Sequence, residues 1–221
     1  VAELISHADR ASLADILLKH SARLYKNSSA MDNQFGGSFD LYGMVVEYLR
    51  AFTPSPIARR SYLYLLSLGA AWFPQTHYTV RKDLRAYQLI ETLSGAGRFT
   101  YEGTVYDLRP GDVILYDCMR PHDSRTASPE GWRTRWAYLS GHAMPDLYTQ
   151  IMLGGSIRFR PGQDSDFTRL FTQLYDLNQT EGSDREFLSN YILTGLMTEL
   201  LKRVPELKNR PLPGLVRRIC V

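Results

Sequence analysis

The chain has 221 residues, 44% hydrophobic and 22% charged, and carries a formal net charge of +3 at neutral pH. That balance predicts a chain that folds around a buried core. The positive charge is too small, and too scattered over Arg59-Arg60, Arg81-Lys82, Arg133, Arg135 and Arg217-Arg218, for nucleic-acid binding by this chain alone. The two cysteines, Cys118 and Cys220, exclude a disulfide framework and a CxxC metal knuckle.

Residues 9–27 carry Leu13, Ile16, Leu17 and Leu24 at helical spacing, with Lys19, Arg23 and Lys26 off that face, and predict an amphipathic helix. Gly36-Gly37-Ser38 reads as a turn whose serine caps a second helix through Phe52, with Leu41, Tyr42, Val45, Val46 and Leu49 on it. Pro54-Ser55-Pro56 stops that helix. Residues 1–56 are therefore expected to form a helical extension. The nearly apolar run Tyr62–Phe73 is short of the ~20 residues that a membrane-spanning helix needs, and is expected to be a buried strand pair or a strand and bend. Nothing at the start of the chain has the pattern of a secretory signal, and a reducing cytoplasm is the expected setting.

From residue 60 to about 140, short β-branched and aromatic runs alternate with Gly, Pro and Asp. They predict strands over Tyr87–Leu93, Arg98–Tyr101, Thr104–Leu108, Val113–Tyr116 and Arg133–Leu139. Ser94–Gly97 is expected to be a hairpin connection, Glu102-Gly103 a tight turn, and Arg109–Asp112 another turn in which Asp112 bonds local amides. Strands this short, at this spacing, predict an antiparallel barrel or sandwich.

After residue 164 the pattern is helical. Phe167, Leu170, Phe171, Leu174 and Leu177 form one stripe, and Ser183–Glu186 reads as a capping box. The helix that follows, to about Val204, carries Phe187, Tyr191, Leu196 and Leu200 on one side, a face that Ile192, Leu193, Met197 and Leu201 widen. Pro205–Pro213 reads as a stiff linker, and Gly214–Val221 opens a new amphipathic pattern.

The segment from Tyr87 to Leu139 sets out, in order, a strand, Ser94-Gly95-x-Gly97-x-Phe99, a strand, Gly103-x-x-Tyr106-x-Leu108-x-Pro110-Gly111-Asp112, a strand, Pro121-His122, and Trp132-x-x-x-Trp136. With the helix pair and linker behind it, this order resembles the N-terminal effector-binding and dimerisation domain of the AraC family of transcription regulators. The resemblance implies an α+β fold: a cupin-like antiparallel β-barrel with N-terminal helices and a C-terminal antiparallel helix pair. It places the barrel at 57–163 and the helix pair at 164–204. Residues 205–221 would be a linker and the start of a truncated helix-turn-helix DNA-binding domain. The partners implied are a small-molecule effector, a carbohydrate by preference, and a second copy of the chain. DNA would be bound only by the full-length protein, and no membrane is implied.

Many cupins are metal enzymes. Their usual site takes a His-x-His pair, a glutamate and a later histidine. Here His122 matches the later histidine, but His77 stands alone and Gln88 occupies the glutamate's place. Three of four ligands are missing, so no divalent-metal site is expected. No nucleophile motif, phosphate loop, dinucleotide fingerprint or paired-carboxylate pattern is present, and neither catalytic residues nor a cofactor are expected.

Strand alternation puts Trp132, Thr134, Trp136 and Tyr138 on one face and Arg133, Arg135, Ala137 and Leu139 on the other. The resemblance places Thr134 and Trp136 toward a pocket, aligns Arg81 with a sugar-binding position, and puts His122 and Ser124 near its mouth. The expected ligand-binding residues are Arg81, His122, Ser124, Thr134, Trp136 and Tyr138. A tryptophan face suits the C–H face of a sugar ring. The competing roles are structural: His122 satisfied by a backbone carbonyl, Trp132 and Trp136 core aromatics, and Arg81 a surface charge. The expected dimerisation residues are Phe167, Leu170, Phe171, Leu174 and Tyr191. Two other functions fit the same residues: a dimerisation domain with a filled barrel, and a metal-independent isomerase or lyase acting through His122.

Overall fold

The computed structural model describes residues 38–40, 43–163, 165–179, 182 and 184–204. Two antiparallel sheets enclose a common interior. The five-stranded sheet runs β1 (Ser38–Asp40), β4 (Tyr78–Arg81), β9 (His122–Thr126), β6 (Gly97–Tyr101), β7 (Thr104–Leu108). The six-stranded sheet runs β11 (Arg158–Phe159), β8 (Val113–Asp117), β5 (Tyr87–Gly95), β10 (Trp132–Gly141), β3 (Leu63–Phe73), β2 (Val45–Ala51). Four helices accompany them among the described residues: α1 (Pro56–Ser61), α2 (Met144–Met152), α3 (Asp166–Gln179) and α4 (Arg185–Leu201). This is the α+β, cupin-like barrel expected, with a helix pair behind it.

The hydrophobic core has two layers because both faces of the six-stranded sheet are covered. Its inner face contributes Ile90, Ile114, Tyr116, Trp132, Trp136 and Tyr138 to the barrel interior, where they meet Phe99 and Tyr101 of β6. Its outer face packs Leu68, Leu89, Leu115, Ala137 and Leu139 against Phe167, Phe171, Leu174, Leu193, Leu196 and Met197 of α3 and α4. β5 and β8 are consequently buried on both sides, as doubly covered strands are.

The turn chemistry acts where it was legible. Glu102 and Gly103 both have positive φ, 46° and 83°, the two-residue geometry whose twist matches the flanking strands. In the Arg109–Asp112 turn the Asp112 carboxylate accepts the Arg109 amide at 2.8 Å. Ser94–Gly97 differs from the expected hairpin. β5 and β6 belong to different sheets, so this segment is a corner between them. Gly95 is required there, since a Cβ would lie 1.9 Å from the Gly131 carbonyl oxygen.

The expected helix through Phe52 is instead strand. β1 pairs with β4, and β2 lies on the edge of β3, with a register shift between Val46 and Tyr48. Its apolar positions fit either period. The open edge of β3 decides the outcome, because Val45, Val46 and Tyr48 suit a pleated surface and find a partner there. The barrel therefore begins well before residue 57. The helix expected over 9–27 and the linker at 205–213 lie outside the described residues. Within Tyr62–Phe73, Leu63–Phe73 forms the single strand β3 rather than a pair, bonded to β10 on one side and β2 on the other. The Ser183 half of the capping box also lies outside the described residues, and Glu186 Oε1 accepts the Ser55 amide at 2.8 Å.

Candidate functional site

Alternation along β10 turns Trp132, Trp136 and Tyr138 into the barrel and leaves Ala137 and Leu139 in the outer layer, as read from the sequence. Thr134 shares the inward phase and is buried. Across the interior, β4, β9 and β6 align Arg81 with His122 and Tyr101, and Thr79 with Ser124 and Phe99. Residues paired directly across strands share a face, so Arg81, His122 and Ser124 line the opposite wall.

The two walls meet. Arg81 Nη1 donates to the Tyr138 hydroxyl at 3.2 Å, and the His122 ring lies 4.8 Å from that of Tyr116. Ser124 and Thr79 share a hydrogen bond at 2.7 Å, and the Tyr116 hydroxyl donates to Gln88. Trp136 lies flat against the sheet because Gly69 is its cross-strand partner. Phe73 flanks its ring at 6.3 Å. Trp132 is held as a core aromatic, its indole N–H donating to Thr92 at 3.1 Å. The hydroxyl of Thr126, also on β9, is buried without a partner.

His122 is buried, and burial lowers its pKa from 6.5 to about 4 against the opposing Arg120 carbonyl bond; Arg81 lowers it further and Asp123 raises it. At neutral pH the ring is neutral. Its Nδ1 donates to the Arg120 carbonyl at 2.8 Å, since a carbonyl can only accept. The imidazole is thus anchored to the backbone beside the Tyr116 ring. Among the described residues no three of His, Cys, Asp and Glu converge as a metal site would require.

Sequence reasoning missed β9 altogether, because His122-Asp-Ser-Arg-Thr126 has no apolar run. Its signal was a polar alternation, with His122, Ser124 and Thr126 buried between the less buried Asp123 and Arg125. Thr79 and Tyr116 were missed as site residues. The alternation of β8 could have placed Tyr116 inward.

Residues 65–196 match the AraC-like ligand binding domain. The chain belongs to that family. Two relatives are regulators: the arabinose operon regulatory protein of Salmonella typhimurium, 26% identical over 145 residues, covering 62% of this chain and 50% of the relative, and that of Escherichia coli, 25% identical over 145 residues with 62% and 49% covered. The chain spans about half the length of the curated relatives it matches. Among solved structures, the cupin domain of an XRE-family transcriptional regulator from Enterobacter cloacae is 12% identical, covering 43% of this chain and 94% of that one at a TM-score of 0.34. A cupin superfamily protein from Desulfitobacterium hafniense is 13% identical, covering 51% and 85% at 0.34. Scores this low add nothing to the assignment. No helix among the described residues is long and apolar enough to cross a membrane.

In this AraC-like domain the expected dimerisation residues divide. Phe167, Phe171 and Leu174 have no exposed surface. Leu170 packs on the same core and faces Gly195 of α4, where a Cβ would lie 3.0 Å from its Cδ1. Phe167, Phe171 and Leu174 are spent on the chain's own sheet and helix pair, and Leu170 is only partly buried there. Tyr191 is 73% exposed, and Phe187 and Leu188 beside it are 52% and 47% exposed.

The His122 environment sets a pH dependence. The folded pKa lies below the unfolded one, so the unfolded chain takes up the proton first as pH falls. The stability tied to a neutral His122 is complete above about pH 6.5 and is lost progressively toward pH 4, by roughly 3 kcal/mol at most. Urea midpoints of the wild type and His122→Gln at pH 7 and 4.5 check this. The variant should lose less stability between the two values; equal losses would contradict it.

Proposed function

We propose that this chain is the effector-binding half of a transcription regulator, taking a small sugar or related polar carbohydrate into the barrel, and that it performs no catalysis. The observation that carries this reading is a polar patch in an otherwise apolar interior: Arg81, His122 and Ser124 line the β4–β9 wall, opposite the strand that carries Thr134, Trp136 and Tyr138, and Arg81 reaches across to the Tyr138 hydroxyl. Polar groups taken from water cost free energy unless paired, so a barrel meant only to be filled is better lined with hydrocarbon. The orphaned Thr126 hydroxyl supports the same view. An indole face with hydroxyl, imidazole and guanidinium groups around it matches the apolar face and polar edge of a sugar ring.

Dimerisation is the second half of the proposal. The exposed Phe187, Leu188 and Tyr191 of α4 replace the stripe first expected on α3 as the contact for a second copy. Binding would bias DNA contact by a helix-turn-helix half of the full-length protein, as the regulator names and double length of the relatives suggest. Such coupling requires the effector to favour one arrangement over another.

Calorimetric titration with L-arabinose, D-xylose, D-galactose and D-galacturonate tests the reading. At least one should bind, and Trp136→Ala should weaken it at least tenfold, ~1.4 kcal/mol. The same preparation should sediment as a dimer. No binding by any of them, or a monomer at high concentration, would defeat the corresponding half.

A further inference from the structure

Trp136 is gripped from outside the barrel. The Tyr175 hydroxyl, carried by α3, accepts the Trp136 amide at 2.9 Å and lies 2.9 Å from the Trp136 carbonyl oxygen. It also reaches the Gly69 carbonyl. Having one proton, it donates to one of the two carbonyls at a time. Trp136 and Gly69 are partners across β10 and β3. On the inner face of that same pair, the indole covers Gly69 so closely that a Cβ there would lie 2.3 Å from Cζ2 of the ring. The helix thus holds, from one side of the sheet, the backbone position that presents the pocket tryptophan on the other. Burial pushes the Tyr175 phenol pKa upward, so the hydroxyl keeps its proton throughout the physiological range.

Arg135, the neighbouring outward residue, adds a second attachment. Its guanidinium stacks 4.7 Å from the Phe171 ring centroid and 5.6 Å from that of Tyr175, and donates to Thr172 Oγ1 at 3.1 Å. Position 135–136 of β10 is therefore tied to Phe171, Thr172 and Tyr175 on little more than one turn of α3, and α3 packs on α4 through Leu170 and Gly195.

We infer that Tyr175 is a positioning residue of the effector site: it sets the placement of Trp136 and carries the occupancy of the barrel to α3. This rests on the barrel being the effector site. A ring pressed onto the indole bears on the backbone that Tyr175 holds, and a bound state that favours one placement of β10 favours the matching placement of the helix.

The full chain labelled with 5-fluorotryptophan tests this by fluorine NMR, with L-arabinose as the probe. Trp72, Trp132 and Trp136 give separate signals, the last assigned by Trp136→Phe. Tyr175→Phe removes only the hydroxyl. It should shift the Trp136 signal in the free protein, leave the other two unmoved, and weaken arabinose binding about tenfold, as loss of a buried hydrogen bond allows. Saturating arabinose should slow amide exchange over Phe171–Leu177 in the wild type and not in the variant. Leu170→Ala, which trims the same helix on the side that meets Gly195 of α4, should leave the Trp136 signal in place. An unshifted Trp136 signal in Tyr175→Phe, or an equal shift in Leu170→Ala, overturns the positioning role. Exchange slowed equally in both proteins overturns the transmission. A wild type that binds no arabinose removes the transmission step for that sugar, while the free-protein spectra still decide the positioning.

Discussion

Gly69→Ala should destabilise the protein and empty the site in one step. The new methyl carbon would lie 2.3 Å, 2.5 Å and 2.9 Å from three atoms of the Trp136 ring, and that ring is not the free end of a flexible chain. It is buried, flanked by Phe73, and its backbone is held by Tyr175. The indole must tip into the barrel or β3 and β10 must part. Overpacking of this kind costs about 1–3 kcal/mol, a fall in Tm of roughly 2–4 °C for each of them in a chain of this size. Sugar affinity should drop at least as far as in Trp136→Ala. A double-mutant cycle isolates the cause. Introduced into Trp136→Ala, the same glycine substitution should cost little, because the ring it would strike is gone. An unchanged Tm and affinity in the single variant would show that the two residues do not meet as described.

Arg135→Ala should have the larger effect on stability alone. Arg135 Nε pairs with Glu91 Oε2 across β10 and β5, with side-chain exposures of only 13% and 11%. The pair lies on the outer face of the six-stranded sheet, beneath α3, and the guanidinium also stacks on Phe171. Removing one partner leaves the Glu91 carboxylate buried without its counter-ion, which costs about 3–5 kcal/mol. Replacing both by apolar side chains removes that penalty, so Glu91→Leu with Arg135→Met should be more stable than either single variant. Urea denaturation of the wild type, Arg135→Ala, Arg135→Met, Glu91→Leu and the double variant checks the order. A double variant no better than Arg135→Ala would mean that the loss comes from stacking and shape rather than from a stranded charge.

Several expectations were sound because they rest on chemistry that a few neighbouring residues carry. The two-residue turn at Glu102-Gly103 and the carboxylate of Asp112 act locally. The inward phase of Trp132, Thr134, Trp136 and Tyr138 follows from the period of an extended chain. The order of turns and strands from Tyr87 to Leu139 was enough to point to the family. The failures have one origin. Leu41, Tyr42, Val45, Val46, Leu49 and Phe52 satisfy a helical period, and the pairing of β2 to the edge of β3 overrode it. His122–Thr126 satisfies a strand period only once its alternate polar residues are seen to face the barrel interior. The stripe of Phe167, Phe171 and Leu174 announced a buried face without saying what would bury it.

The amino-acid sequence by itself determined that this is a barrel with a helix pair, which side of β10 faces inward, and that the usual cupin metal ligands are missing. Tertiary structure alone decided that β9 supplies the polar wall, that the α3 stripe is spent on the chain's own sheet, and that Tyr175 reaches the backbone of Trp136. The division is physical. Periodicity and turn preference are properties of a short stretch of chain, whereas the partner that meets each face, across 39 positions in the case of Tyr175 and Trp136, is settled only when the layers pack.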